Sequence, residues 1–142
     1  MFKNRGFWEG PSDLYYLWLL ALAAAGNVEL VWATMGGDPP ATDPLRDFLD
    51  KAYFGGRLDG AAALTLADRL QELIPAVSAN KLNAGLKRLP SSNRWRRDCE
   101  IPEDAEEEIT QTLRSRTTWF VGALRSAGNR GEAIEWRSPG DW

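Results

Sequence analysis

The sequence predicts a mainly α-helical fold, about five helices around a buried N-terminal apolar helix, with a small two-stranded β element. Three observations carry that expectation. Leu14–Ala25, LYYLWLLALAAA, has no charge and no backbone breaker, and at this length Leu and Ala favour helix over strand. Apolar residues recur at helical spacing in four further segments between 43 and 127. Only 28–34 and 132–136 read as strands.

Each element has its own justification. Residues 1–10 hold Phe2, Phe7 and Trp8, which are expected to fold back on the core. A helix apolar on every face must be covered on every face, so Leu14–Ala25 belongs at the centre. Ser12 and Asp13, with Pro11 before them, can cap its start, and Gly26-Asn27 supplies a left-handed stop. VELVWAT, 28–34, follows as a strand, and Gly36-Gly37-Asp38-Pro39-Pro40 ends it as a loop.

Thr42 or Asp43 can cap a second helix, with Pro44 in its first turn and Leu45, Phe48, Leu49, Ala52 and Tyr53 on one face. Gly55-Gly56 stops it. A third helix runs from Gly60 to Ile74 behind Asp59, with Ala63, Leu66, Leu70 and Leu73 buried, until Pro75 breaks it. Leu82, Leu86 and Leu89 mark a fourth between 79 and 89, closed by Pro90. Pro102 opens a long helix to about Ala127, its buried side marked by Ile109, Leu113, Phe120 and Leu124 with Thr117 between. Thr117-Thr118 leaves open a division into two abutting helices, and Gly128 is the expected stop. EAIEW, 132–136, alternates as a strand, and pairing it with 28–34 satisfies both backbones.

The totals set limits. A chain of 142 residues is one domain, 1–142, large enough for a self-standing core. A net charge of −3 argues against a generic nucleic-acid binder. There is no histidine, which removes the commonest general base and metal ligand, together with Ser-His-Asp and Cys-His nucleophile systems. Cys99 is the one cysteine, so no internal disulfide forms; it stands between Asp98 and Glu100, which disfavour a thiolate. Neither Gly36-Gly37-Asp38 nor Gly55-Gly56-Arg57 has the context of a phosphate loop. No cofactor, metal or membrane partner is therefore expected.

Leu14–Ala25 is too short for a transmembrane span of about 20 apolar residues. Lys3, Arg5 and Ala23-Ala24-Ala25 also allow a signal peptide over 1–25, against which stand Glu9, Asp13 and the aromatics of the run. The localisation expected is cytoplasmic, with periplasm or secretion as the alternative that a cleaved 1–25 would bring.

With these elements placed, the chain resembles a loose family of small, uncharacterised bacterial proteins. Their first helix reads roughly Leu-Leu-x-Leu-Ala-x-x-Gly, matched by Leu19, Leu20, Leu22, Ala23 and Gly26. A tyrosine-and-glycine turn into a Leu-Ala-x-x-Leu helix is matched by Tyr53, Gly56, Leu66, Ala67 and Leu70. A Phe-containing helix, glycine turn and Ile-x-Trp strand are matched by Phe120, Gly128, Ile134 and Trp136. The family's Trp-x-Pro after the first glycine is missing, since Asn27 and Glu29 stand there. The resemblance implies a fold type and carries no catalytic residue.

Two charged clusters are candidate sites. Glu103, Asp104, Glu106, Glu107 and Glu108 crowd the start of the long helix, where acids complement the helix dipole and can also imitate nucleic-acid phosphate toward a basic partner. Arg94-Trp95-Arg96-Arg97 interleaves guanidinium and indole, a phosphate-gripping pattern for which local ion pairing with the acids is the simpler account. Of the seven tryptophans, Trp95 is the one expected to anchor a partner. The function expected is a non-catalytic protein-binding module, of the immunity or antitoxin type, that occludes the active site of a toxin or effector. The alternative is a nucleic-acid-associated regulator gripping phosphate through Arg94, Arg96 and Arg97, and the third is a carboxylate-dependent hydrolase. The oligomeric state is left open.

Overall fold

The computed structural model describes residues 11–28, 43–93, 96 and 99–136. Among these the fold is mainly α with a small two-stranded antiparallel sheet. The helices are α1 Pro11–Ala25, α2 Pro44–Phe54, α3 Gly60–Leu73, α4 Ala79–Leu86 and α5 Glu106–Asn129. Strand β1, Gly56–Leu58, lies between α2 and α3, and β2, Ile134–Trp136, follows α5. Residues 1–10 and the predicted strand beyond Val28 lie outside the described residues.

The central helix is where its composition demands. Leu17, Trp18, Leu19, Leu20, Ala21, Leu22 and Ala23 are all at most 3% exposed, so every face is covered. α1 starts at Pro11, so Ser12 and Asp13 fall within its first turn instead of ahead of it. It ends as expected: Asn27 adopts φ 60°, its amide donates to Ala24 O, and Val28 N donates to Ala23 O. Those bonds close a Schellman motif and satisfy carbonyls that the helix end leaves open.

α2 and α3 begin at aspartate caps. Asp43 accepts from Leu45 N, and Asp59 from Ala62 N. α3 packs along α5, its side formed by Ala63, Leu66, Ala67, Leu70 and Leu73. Ile74–Ala76 tightens to a 3₁₀ turn at Pro75, and Ser78 caps α4. Leu82 and Leu86 of α4, with Leu89 beyond it, are buried.

α5 is unbroken through Thr117-Thr118. Each threonine hydroxyl donates to a carbonyl one turn back, Thr117 to Leu113 O and Thr118 to Arg114 O, so neither opens the helix. Its buried line is Ile109, Leu113, Thr117, Val121, Leu124 and Ala127. Phe120, expected inside that line, sits half-buried at its edge, 5.2 Å from the Trp18 ring and 5.4 Å from Phe48.

Two glycine expectations change. Gly128 does not stop α5: a Cβ there would lie 2.5 Å from Leu64 Cγ and 2.9 Å from Gly60 O, so it is close approach to α3 that calls for glycine. The turn is made at Gly131, φ +68°. Gly55-Gly56, read as a stop, also begins the sheet. Gly55 at φ 92° turns the chain, and β1 pairs with β2 in the register Gly56 to Trp136, Arg57 to Glu135, Leu58 to Ile134. Strand β2 was expected opposite 28–34; in the described fold its partner is β1. The α3–α5 packing decides this, because it brings Gly131 against Gly60, next to the end of β1.

Candidate partner-binding surface

The acidic run is held outward by apolar residues spaced between its members. Ile101, Ala105 and Ile109 are buried, while Glu103, Asp104, Glu107 and Glu108 are exposed and Glu106 is half-buried. Glu103–Ala105 form a 3₁₀ turn that leads directly into α5, so the five carboxylates crowd one helix start, where the positive dipole end favours them.

A polar clamp fixes the approach to this start. Asn83 Nδ2 donates to Ile101 O and Ile101 N donates to Asn83 Oδ1, both at 2.9 Å. The amide of one α4 side chain thus satisfies both backbone groups of Ile101 in the segment that leads into α5. Three further hydrogen bonds lock α5 to the turn before α4 and to the first residue of α4. Thr110 Oγ1 accepts from Ala79 N at 2.9 Å, and Arg114 donates to Val77 O and Pro75 O at 2.8 and 3.0 Å.

The basic cluster falls mostly outside the described residues. Arg94, Trp95 and Arg97 lie outside those residues. Arg96 is half-buried, and its guanidinium donates to Leu89 O at 2.7 Å, so it secures the chain beyond α4. Cys99 is fully buried beside Ile101 in the core. Among the described residues no three cysteine or acidic side chains converge as a metal site.

The indole that the sequence left unnoticed is Trp119. It is 71% exposed, the large apolar side chain left outside among the described residues. A signal for it was present: the buried line through Leu113, Thr117 and Leu124 leaves position 119 on the far side of the helix. Trp119 and Glu108 share that outer side, eleven residues and roughly 16 Å apart along the axis.

Comparison with protein-family models, curated proteins and solved structures yields no match. The family resemblance therefore rests on the sequence motifs. Among the described residues no helix is long and apolar enough to cross a membrane.

Proposed function

We propose that this chain is a non-catalytic protein-binding module, of the immunity or antitoxin type, whose acidic helix start engages a basic patch on another protein and occludes its site. The observation that carries the reading is the outward presentation of Glu103, Asp104, Glu107 and Glu108 from a start pinned by Asn83 and by buried Ile101, Ala105 and Ile109. Rim charges of this kind steer association and act on its rate more than on dissociation. The absence of histidine from the chain supports a module that binds without catalysing.

The test starts with capture of a partner from the native host, followed by kinetics on the purified pair. Glu103→Gln with Asp104→Asn and Glu107→Gln should slow association about tenfold or more at low salt, and progressively less as salt is added. Association at the wild-type rate at low salt removes the acidic start from the interface. A parallel titration with duplex DNA and with RNA decides the other class. Submicromolar, steeply salt-dependent binding lost in Arg94→Ala with Arg96→Ala would transfer the function to the basic cluster.

A further inference from the structure

The outward line of α5 is built mostly of small side chains around one indole. Thr112, Ser115, Trp119, Gly122, Ser126 and Asn129 are all exposed and follow one another at steps of three, four, three, four and three. Any one side of a helix has such steps, so the residue types on this line are what matter: small side chains flank one exposed indole. The steps read the same from either end, about a point midway between Phe120 and Val121. On either side of that point stand a knob and an open seat. Trp119 projects 71% exposed, and a Cβ placed on Gly122 would meet nothing within 4 Å.

We propose that this face of α5 binds a second copy of the same chain as an antiparallel, two-fold helix pair, each Trp119 seated over the other copy's Gly122. A two-fold interface must be complementary to itself. Antiparallel pairing about the centre of the line meets that condition position by position: Trp119 against Gly122, Ser115 against Ser126, Thr112 against Asn129. The small side chains let the helices approach closely enough to cover the indole.

Charge selects the direction. α5 begins with Glu106, Glu107 and Glu108, and Arg130 follows its end. Antiparallel pairing brings Glu108 of one copy to within about a turn of Arg130 of the other and opposes the two helix dipoles. A parallel pair would set acid against acid. Arg130 already holds Glu132 of its own chain at 2.9 and 3.0 Å and donates to Ser126 Oγ on the seam itself, and two of its N–H groups remain on an exposed side for a second carboxylate. Arg125 is turned to Asp68, and Arg116 lies over the Trp18 ring.

Size sets the strength. Thr112 to Asn129 spans roughly 26 Å of helix, and the strip covered on both copies comes to roughly 600–800 Å². A stable interface buries about 1,200 Å² or more, so this dimer is weak and reversible. The seam covers the middle and end of α5, so Glu103, Asp104 and Glu107 lie outside it, at both ends of the pair.

Sedimentation velocity on the full chain, from about 10 μM to about 1 mM at low salt, is the test. The average mass should climb toward that of a dimer, and Trp119→Ala or Gly122→Leu should each weaken self-association about tenfold or more with unchanged circular dichroism. Ser115→Cys mixed with Ser126→Cys should cross-link on mild oxidation. Neither variant alone should do so, because like positions lie roughly 16 Å apart along the seam. A monomer at the highest concentration, self-association indifferent to Trp119→Ala, or cross-linking of Ser115→Cys with itself overturns the proposal. The assay contains no other protein, so its failure leaves the binding-module reading standing.

Discussion

Trp18 Nε1 donates to Thr117 Oγ1 at 2.9 Å, joining α1 to α5 across 99 positions of sequence. The threonine hydroxyl passes its own hydrogen to Leu113 O at 2.8 Å. Trp18 is 3% exposed and Thr117 0%, so the relay satisfies the indole N–H and the hydroxyl where water does not reach. Thr117→Val keeps the shape and leaves the indole N–H without an acceptor. It should cost about 1–3 kcal/mol in urea unfolding, while Thr117→Ser keeps most of the wild-type stability. Equal stability of Thr117→Val and wild type would show that the bond contributes nothing net.

Two glycines on α5 should respond in opposite directions to the same change. A methyl at Gly128 runs into Leu64 and Gly60 O. Gly128→Ala should therefore destabilise by about 1–3 kcal/mol, through forced separation of α3 and α5. Gly122 has open space, so Gly122→Ala should stabilise by up to about 1 kcal/mol, from helix propensity and a less flexible unfolded chain. Thermal unfolding of the two variants at low micromolar concentration checks the sign of each.

The Asn83 clamp connects the core to the acidic surface. Asn83→Ala removes both hydrogen bonds to Ile101 and leaves that backbone pair short of partners. The cost expected is about 1–3 kcal/mol. Hydrogen exchange should speed up first at Ile101 and in the turn Glu103–Ala105, ahead of global unfolding. Unchanged protection at Ile101 would mean that the apolar anchors alone hold the segment.

Alkaline stability should carry the signature of Tyr15. Burial pushes its phenol above the ordinary value of 10.0, Tyr16 adds to the shift, and Arg116 opposes it. A raised folded-state pKa gives stability that is complete below the unfolded value and is lost as pH rises past it. Tyr15→Phe gives up the bond to Ala52 O at 3.0 Å and should cost about 0.5–1.5 kcal/mol at neutral pH. That deficit should narrow above about pH 10, as the wild type begins to ionise its phenol on unfolding. Urea midpoints of both proteins from neutral to alkaline pH make the comparison. A deficit constant over the range would exclude the phenol from the alkaline transition.

The helical elements were legible because their causes are local. An uncharged apolar run has to be buried, aspartates followed by helix formers cap α2 and α3, and periodic leucines mark the sides of α3 and α4. The acidic helix start was legible for the same reason, being a run of neighbours in sequence. Trp95 as an anchor lies outside the described residues, and the exposed indole among them is Trp119. Apolar character alone could not place it, since Trp119 and Phe120 are adjacent and differ only in which side of α5 they occupy.

By itself the sequence determined which segments are helical, where most begin and end, and that Leu14–Ala25 lies at the centre, because capping, periodicity and apolar burial act over a few residues. Only the tertiary structure decided that β2 pairs with Gly56–Leu58, that Gly128 serves contact with α3 instead of a turn, and that Thr117 meets Trp18. Each of those depends on two segments brought together by the packing of α3 on α5 or α1 on its neighbours, and a contact between distant segments leaves no periodic mark on either one.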